Sequence, residues 1–242
     1  MAKVSLLGIP HDDNSSYLKG PAAAPALIRR ELASDAHSSW SETGFDVADS
    51  FLDHGDIDFS GGGDHAIAWP VLRAVRRRHP RLTIVQIDAH PDIYDAYQGN
   101  KRSHTSSFAR ILEEGLADRL IQIGLRTLND ELRDQLERFG VEVIEARHFS
   151  EDLRLDLKTP VYLSVDLDGL DPACAPGVSH REPGGLTTRQ VINLIQRIDQ
   201  PIVGADVVEY NVNQDVSNLT ALVAAKLVKE IAGMMVKTNG AA

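Results

Sequence analysis

The sequence has very little cysteine and no long apolar run. Cys174 is the only cysteine among 242 residues, so no disulfide can form within the chain, which fits a reducing compartment. No apolar run approaches the roughly 20 residues that a membrane span requires, so a membrane partner is not expected. The apolar part of residues 1–10 is too short for a signal peptide and predicts a first strand. We therefore expect a cytoplasmic protein.

Basic residues are also fewer than acidic residues. There are 25 lysines and arginines against 35 aspartates and glutamates, and this net charge of −10 argues against nucleic acid as a partner. Internal repeats, low-complexity tracts and linkers are missing as well. A chain of 242 residues, 43% of them hydrophobic, can bury a sizeable core. We predict one α/β domain over residues 1–242.

Apolar strand-like runs alternate with helical patterns. Strands are predicted at Val4 to Ile9, Leu82 to Ile87, Leu120 to Gly124, Val141 to Ile144, Val161 to Val165 and Ile202 to Ala205. Helices are predicted at Ala22 to Leu32, Ile67 to Arg78, Thr105 to Glu114, Asp130 to Phe139, Thr187 to Ile198 and Thr220 to Val236. The alternation predicts a three-layer α-β-α fold with a mostly parallel sheet. Ligands of such sheets bind beyond the carboxyl ends of the strands.

Acidic residues crowd the end of one predicted strand. In SVDLDGLDPACAPG, residues 164–177, Asp166, Asp168 and Asp171 lie within six residues. Ionised carboxylates at the end of a buried strand repel each other and lose hydration, so this arrangement requires a cation. Asp171 precedes a proline and is interpreted as a turn-shaping residue.

Two further clusters contain histidine. Asp88, His90 and Asp92 are spaced i, i+2, i+4, which places all three side chains on one side of an extended chain. Residues 60–66, SGGGDHA, place His65 after a glycine turn and before a helix. Asp64 in this turn is interpreted as a support for the loop.

Four aspartates and two histidines therefore follow probable strands. One ion with six protein ligands would leave no room for chemistry, whereas two ions with bridging aspartates would. Oxygen and imidazole ligands without thiolate suit manganese, with zinc, iron, cobalt or nickel as alternatives. Two ions roughly 3.5–4 Å apart can share a hydroxide and make it a nucleophile near neutral pH.

Each motif also has a structural interpretation when it is taken singly. A histidine after a glycine turn is usually structural, and Asp168 could shape a turn. The polar residues Asn14, Ser15 and Ser16 are interpreted as an ordinary loop after the first strand. Three such clusters at strand ends in one chain favour the dinuclear metal site.

The motifs GGGDHA, DAHPDIYD and SVDLDGLDP resemble the three signature segments of the ureohydrolases, the family of arginase and agmatinase. Further segments are most similar to plant-type arginases and their bacterial agmatinase-like relatives. These segments are NSSYLKGPAAAP, GNKRSHTSSFARI, QIGLRTLND, APGVSHREPGGLT, VGADVVEYN and LTALVAAKLVKEIAG. The resemblance covers nearly the whole chain.

The resemblance implies a complete set of ligands for two Mn²⁺ ions per chain. The implied ligands are Asp88 and Asp166 as bridges, His65 and Asp92 at one ion, and His90 and Asp168 at the other.

It also implies roles for residues around the metals. His104 would shuttle protons, Asp92 would help to stabilise the tetrahedral intermediate, and Glu209 would clamp the substrate guanidinium. Asn129 would help to hold the amino-acid end of the substrate. His180, in VSHREPGG, is a candidate rim residue by its own context, with an ordinary surface-loop histidine as the alternative. The implied reaction is hydrolysis of a guanidino compound to urea and an amine, most simply arginine to ornithine, by a metal-bridging hydroxide.

One region departs from the family pattern. The chain is unusually short near residues 56–62, where family members carry a helix and then a strand leading into the glycine turn. Only Ile57 to Ser60 could serve as that strand here. The shortening would expose one side of the sheet and would affect the position of His65.

Several functions remain open from the sequence. The first is a manganese-dependent amidinohydrolase acting on arginine, on agmatine or on another guanidino acid. The second is a degenerate metal-binding or assembly protein that keeps the ligands without turnover. The third is a single-zinc deacetylase of similar layered architecture. Family members are commonly trimers or hexamers, so a homo-oligomer is expected by resemblance.

Overall fold

The computed structural model describes residues 3–57 and 64–239. Its strands are β1 (Val4–Gly8), β2 (Phe51–Asp56), β3 (Thr83–Ile87), β4 (Arg119–Leu125), β5 (Glu142–Glu145), β6 (Val161–Asp166) and β7 (Ile202–Val208). Its α-helices are α1 (Ala24–Leu32), α2 (Ala68–Arg76), α3 (Ser107–Glu113), α4 (Asp130–Phe139), α5 (Thr188–Gln196) and α6 (Leu219–Asn239). The predicted alternation of strands and helices is confirmed.

In the described part of the chain all the paired strands are parallel, and they form two sheets. Five of them have the order β5-β4-β3-β6-β7, and β1 pairs with β2 apart from them. Strands β3 and β6 lie at the centre, and every one of their residues is buried. This fits their nearly continuous apolar sequences, because a parallel sheet covered on both faces needs apolar residues at all positions.

Helices cover both faces of the sheet, as the three-layer prediction requires. On one face, residues of α5 and α6 such as Val191, Ile195 and Leu227 pack in the main core with β3 and β6. On the other face, Leu72 of α2 and Phe108 of α3 form a second core.

The strand β2 was missed by the sequence analysis. Phe51–Asp56 reads FLDHGD, and five of its six residues are exposed. A strand at a sheet edge has only one neighbour and needs no apolar alternation, so its sequence carries no clear strand signal. Of the alternative strand proposed at Ile57 to Ser60, residues 58–60 lie outside the described residues, as does the glycine turn at 61–63; Ile57 is in no strand.

The helix ends follow ordinary capping rules. At α5, Thr187 accepts from the backbone of Gln190 and the Gln190 side chain accepts in return from the backbone of Thr187, which is a capping box. At α4, Gly140 ends the helix in a left-handed conformation, with φ 62°. In the described part of the chain, no helix is both long enough and apolar enough to cross a membrane.

Candidate active site

The candidate site is built at the carboxyl ends of β3, β6 and β7. Asp88 directly follows β3, Asp166 ends β6, and Glu209 directly follows β7. His65 begins the short turn before α2, and Asp64 caps that turn by accepting from the backbone N–H of Ala66 at 3.1 Å. Because neighbouring parallel strands end at the same edge, residues far apart in sequence meet there.

Three carboxylates surround the buried imidazole of His65. Its Nδ1 lies 3.2 Å from Asp88 Oδ2, 3.0 Å from Asp92 Oδ2 and 3.1 Å from Asp166 Oδ2. Yet Nδ1 makes no hydrogen bond of normal geometry to any of them. Its Nε2 pairs with Ser164 Oγ at 2.9 Å, which orients the ring. The four groups can all offer one ligand atom to a common point.

A second ligand group adjoins the first. His90 Nδ1 lies 3.0 Å from Asp168 Oδ2 and 3.8 Å from Asp88 Oδ1. Asp88, His90 and Asp168 again place one ligand atom each within 4.8 Å of the others. Asp88 therefore belongs to both groups, whereas Asp166 falls in the group of His65. Two cations side by side with one shared carboxylate fit this geometry.

The charges of the cluster indicate which kind of ligand it would bind. Burial, and then the neighbouring Asp168 and Asp92, raise the pKa of Asp88 to about 7. Burial alone would lower the pKa of His90, but the facing Asp168 outweighs it and raises that pKa to about 10. Burial is the larger cause of the shift at Asp88, and the neighbouring carboxylates, which have too little positive charge among them, add to it and cause the shift at His90. Divalent cations would supply that charge, and the oxygen and imidazole donors suit manganese.

His104 and Glu209 form a buried pair beside this cluster. His104 Nδ1 lies 2.9 Å from Glu209 Oε1, and burial is outweighed by this carboxylate, which raises the pKa of His104 to about 9. The backbone N–H of Ser16 donates to His104 Nε2 at 3.1 Å. Nε2 also lies 2.8 Å from Ser16 Oγ, a hydroxyl that can accept from the protonated ring, so Ser16 can serve His104 in either protonation state.

Glu209 is held in an unusual position. Its backbone is left-handed, with φ 62°, and Oε1 also accepts from the backbone N–H of His65 at 2.9 Å. Its Oε2 is buried and has no hydrogen-bond partner among the described residues. A buried carboxylate oxygen without a partner is costly, so this atom is available to a cationic ligand. Asp92 has a left-handed backbone too, with φ 49°.

His180 lies next to the other two histidines of the site. Its ring centroid is 5.7 Å from that of His104, nearly stacked, and 5.8 Å from that of His90. Ser16 Oγ is 3.4 Å from its Nε2. His180 therefore lies beside both histidines of the site, and its role as a rim residue stays a prediction.

The side chain of Asn129 has a structural role at the start of α4. Its Oδ1 accepts from the backbone N–H of Leu132 at 2.9 Å, which caps α4, and its Nδ2 donates to Tyr94 Oη at 2.8 Å. Its side chain is thus engaged at the start of a helix. A substrate contact by Asn129 stays a prediction.

Residues that the sequence analysis did not single out support the ligands. Gln86 Nε2 donates to Asp88 Oδ2 at 2.6 Å, and Gln122 Nε2 donates to Gln86 Oε1 at 2.7 Å. Ser164 Oγ donates to Asp206 Oδ1 at 2.6 Å. Gln86 and Ser164 each lie two residues before a ligand aspartate. The i, i+2 spacing that indicated the ligands would have identified both of them.

Arg126 braces the loop that carries Asp168. Its guanidinium donates to the backbone carbonyls of Asp168, Gly169 and Leu170, and also to those of Gly124 and Glu182. Because a guanidinium carries five donors in a rigid fork, one side chain can hold two loops together. The arginine in QIGLRTLND was noted only as part of a motif.

The loop after β1 also contacts the site. Ser15 Oγ donates to Asp64 Oδ2 at 3.1 Å, and Ser16 contacts both His104 and His180. The interpretation of residues 14–16 as an ordinary polar loop therefore missed the contacts of this loop with the site. These contacts join segments that are far apart along the chain. A single sequence does not show such contacts.

Comparisons with known proteins agree with this geometry. Residues 47–233 match the model of the Arginase family. The chain is 44% identical to Arginase 1, mitochondrial, of Arabidopsis thaliana, with 98% of this chain and 82% of that protein covered. It is 39% identical to the Guanidinobutyrase of Pseudomonas aeruginosa, with 76% and 62% covered. The structure of the arginase from Medicago truncatula superposes with a TM-score of 0.90 at 40% identity, with 97% and 87% covered.

The comparison with the Arabidopsis protein also shows a difference in length. The alignment to the Arabidopsis protein spans 280 positions, 38 more than the 242 residues of this chain. At least 38 positions of that relative therefore have no counterpart here. A match over most of the chain, together with the histidine and aspartate cluster at the strand ends, shows that the chain belongs to the arginase family of amidinohydrolases.

Proposed function

We propose that the chain is a manganese-dependent amidinohydrolase that converts L-arginine to L-ornithine and urea. One observation carries the proposal, which is the convergence of two carboxylate–imidazole groups on the shared Asp88. In this proposal His65, Asp92 and Asp166 hold one ion, His90 and Asp168 hold the other, and Asp166 also bridges. The ions, when bound, supply a water that ionises near neutral pH.

The other residues bind the substrate and move the proton. A guanidinium is planar and cationic, and a carboxylate can bind it by paired charge-assisted hydrogen bonds. Glu209 would offer Oε2, the buried oxygen that lacks a partner. Burial would raise the pKa of Glu209, but His104 outweighs it and lowers that pKa, so Glu209 is held as an anion.

His104 would relay the proton that the leaving amine requires. It lies between Glu209 and Ser16, and Ser16 belongs to the loop at the open side of the site. With its pKa raised to about 9 by Glu209, which outweighs burial, His104 carries a proton on both ring nitrogens near neutral pH, so it can give the Nδ1 proton to the leaving amine and take another from water at Nε2. Asp92 would stabilise the tetrahedral intermediate, and His180 and Asn129 would contact the substrate tail.

Urea release from the manganese-loaded protein tests this proposal. We expect urea from arginine at a higher kcat/KM than from agmatine or guanidinobutyrate. Higher turnover of agmatine or guanidinobutyrate would keep the reaction and change the substrate. A folded protein with two bound ions and no urea from any of the three compounds would contradict the proposal.

A second candidate function is metal binding without turnover. The separation of β1 and β2 from the main sheet, close to His65 and Glu209, favours it. The same assay distinguishes the two functions, because this candidate requires bound metal and no urea.

Assembly and location complete the proposal. A trimer or hexamer is proposed from the family and is tested by sedimentation of the intact chain. The cytoplasmic location predicted from the sequence remains a proposal, since the Arabidopsis relative is named as mitochondrial. A fluorescent fusion tests the location.

A further inference from the structure

Four buried polar side chains form one row across the five-stranded sheet. The register places them side by side on β4, β3, β6 and β7, as Gln122, Gln86, Ser164 and Asp206. Glutamine is mostly exposed in folded proteins, and a parallel sheet covered on both faces otherwise holds apolar residues. A buried polar row therefore requires an explanation other than packing.

This row lies between the apolar core and the ligand groups. Side chains two positions apart on a strand share a face of the sheet. The core beneath α2 and α3 contains the residues two positions before the row on three of the strands, which are Ile84, Leu120 and Tyr162. Two positions after Gln86 and Ser164 come Asp88 and Asp166, which belong to the ligand groups. The polar row is therefore the layer directly beneath the proposed metal site.

Gln86 contacts the carboxylate that both ligand groups share. Its Nε2 donates to Asp88 Oδ2 at 2.6 Å and to the carbonyl of His90 at 3.5 Å. Its Oε1 accepts from Gln122 Nε2 at 2.7 Å. This bond from Gln122 determines which end of the Gln86 amide faces Asp88, and that end is the donor.

Gln122 also holds the peptide group that precedes Asp92. Its Nε2 donates to the carbonyl of Pro91 at 2.7 Å. Asp92 has a left-handed backbone, with φ 49°, which a residue with a Cβ keeps only where its surroundings hold it. The carbonyl of Asp92 accepts from the N–H of Phe108 at 2.9 Å. The peptide groups on both sides of Asp92 are therefore held in place.

The orientation of the Gln122 amide is set by its two acceptors. Turning the amide over would bring Oε1 against Gln86 Oε1 and the Pro91 carbonyl, which are also acceptors. In the orientation present, Oε1 is buried and has no hydrogen-bond partner within residues 3–57 and 64–239. An unsatisfied buried acceptor is costly. Gln122 thus leaves its own acceptor unsatisfied while its donor serves Gln86 and Pro91.

We propose that Gln86 and Gln122 are positioning residues for the manganese ligands. Gln86 orients the carboxylate of Asp88, and Gln122 fixes both Gln86 and the turn into Asp92. These bonds order residues 88–92 before an ion arrives, so less order has to be gained on binding. The inference rests on the manganese binding of the proposed function, and it adds two residues that belong to neither ligand group.

Manganese titration of the full-length chain tests the proposal, with the free ion measured by its electron paramagnetic resonance signal. Gln86→Met keeps a side chain of similar length and removes the amide. It should weaken the binding of both ions by about 10- to 100-fold, because Asp88 is shared. Gln122→Met should also weaken binding, but by less, since Gln86 still contacts Asp88. A loss of stability alone would lower Tm and leave the metal affinity of the folded chain unchanged.

Thr83→Val is the matched control on the same strand. Thr83 is buried at the start of β3, and its Oγ1 pairs with Thr159 Oγ1 at 2.7 Å. The change removes a buried hydrogen bond at the end of β3 away from the ligands. It should lower Tm, and both ions should bind as they do in the wild type.

Three results would overturn the proposal. They are wild-type manganese affinity of the glutamine variants, weakening of only one ion by Gln86→Met, and equal weakening by Thr83→Val. Where one glutamine variant does not fold, the other decides. A wild-type chain that binds no manganese would contradict the proposed function itself, and the inference would fail with it. Two ions bound equally well by the wild type and the variants would remove the positioning role alone.

Discussion

His104 and Glu209 form a buried pair, with Nδ1 2.9 Å from Oε1. Within residues 3–57 and 64–239, Glu209 Oε2 has no hydrogen-bond partner, and His104 links the carboxylate to the loop at Ser16. The proposed anion and the proposed proton relay are therefore one hydrogen-bonded unit, and each can be tested by changing one member.

Glu209→Gln should reduce kcat/KM for arginine by about 10- to 100-fold. The amide keeps the shape of the side chain but removes the charge, and hydrogen bonds to charged groups contribute about 1.5–3 kcal/mol. Steady-state urea formation measures the loss. Glu137→Gln, on the exposed side of α4, makes the same chemical change and should leave kcat/KM unaltered. Equal activity of both variants would remove Glu209 from the substrate site.

His104→Asn should reduce kcat by about 10²–10⁴-fold, because a positioned general acid–base contributes that much. The bound manganese should stay, since His104 belongs to neither ligand group. Elemental analysis and a pH–rate profile measure the two effects. His148→Asn serves as the control, because His148 is exposed. A wild-type rate at neutral pH would exclude the relay.

Asp168→Ala should lower the manganese content from two ions per chain to one and abolish turnover. Asp168 is one of the three members of the second ligand group, and its Oδ2 faces His90 at 3.0 Å. Elemental analysis of the purified protein measures the content. The matched change Asp134→Ala alters an exposed residue of α4 and should retain both ions. Two ions bound to both variants would contradict the assignment.

Arg126→Lys should destabilise the protein and weaken manganese binding together. The lysine offers one ammonium where the guanidinium reaches five backbone carbonyls, and unsatisfied buried acceptors cost about 1–3 kcal/mol. Thermal unfolding with and without manganese measures both effects. Arg133→Lys on the surface of α4 is the control. A lower Tm with unchanged metal affinity would limit Arg126 to a structural role.

Glu42 should contribute stability that depends on acid pH. Hydrogen bonds from Arg189 outweigh burial and lower the pKa of Glu42 to about 2, from 4.5. A folded pKa below the unfolded one stabilises the fold above pH 4.5, and this stability is lost as the pH falls toward 2. Glu42→Gln should therefore narrow the stability difference between pH 6 and pH 3. Denaturant unfolding at both pH values measures it, with Glu137→Gln as the control.

The meeting of the aspartates and histidines of the cluster could be predicted from the sequence because the signal was local. Asp88, His90 and Asp92 alternate along extended chain just after an apolar run, and the strand ends of a parallel sheet gather such groups. The buried strands β3 and β6 were equally clear. The capping role of Asn129 could also have been predicted, because it precedes Asp130 and an amphipathic helix.

The remaining features depend on tertiary contacts. The strand β7 was expected to end at Ala205, but it continues to Val208, because the buried Asp206 accepts from Tyr162 and Ser164 on the neighbouring strand. A carboxylate inside a strand contradicts the local pattern until its partners are known. The contacts of Ser16 and Arg126 with distant loops are equally invisible in one sequence.

The imidazole of His65 is linked to the strand β7 by two hydrogen bonds. Asp206 on β7 accepts from Ser164, and Ser164 in turn pairs with His65 Nε2. A change in the charge of Asp206 would therefore reach the ring through Ser164 and alter the electron-donating strength of Nδ1 toward a metal ion.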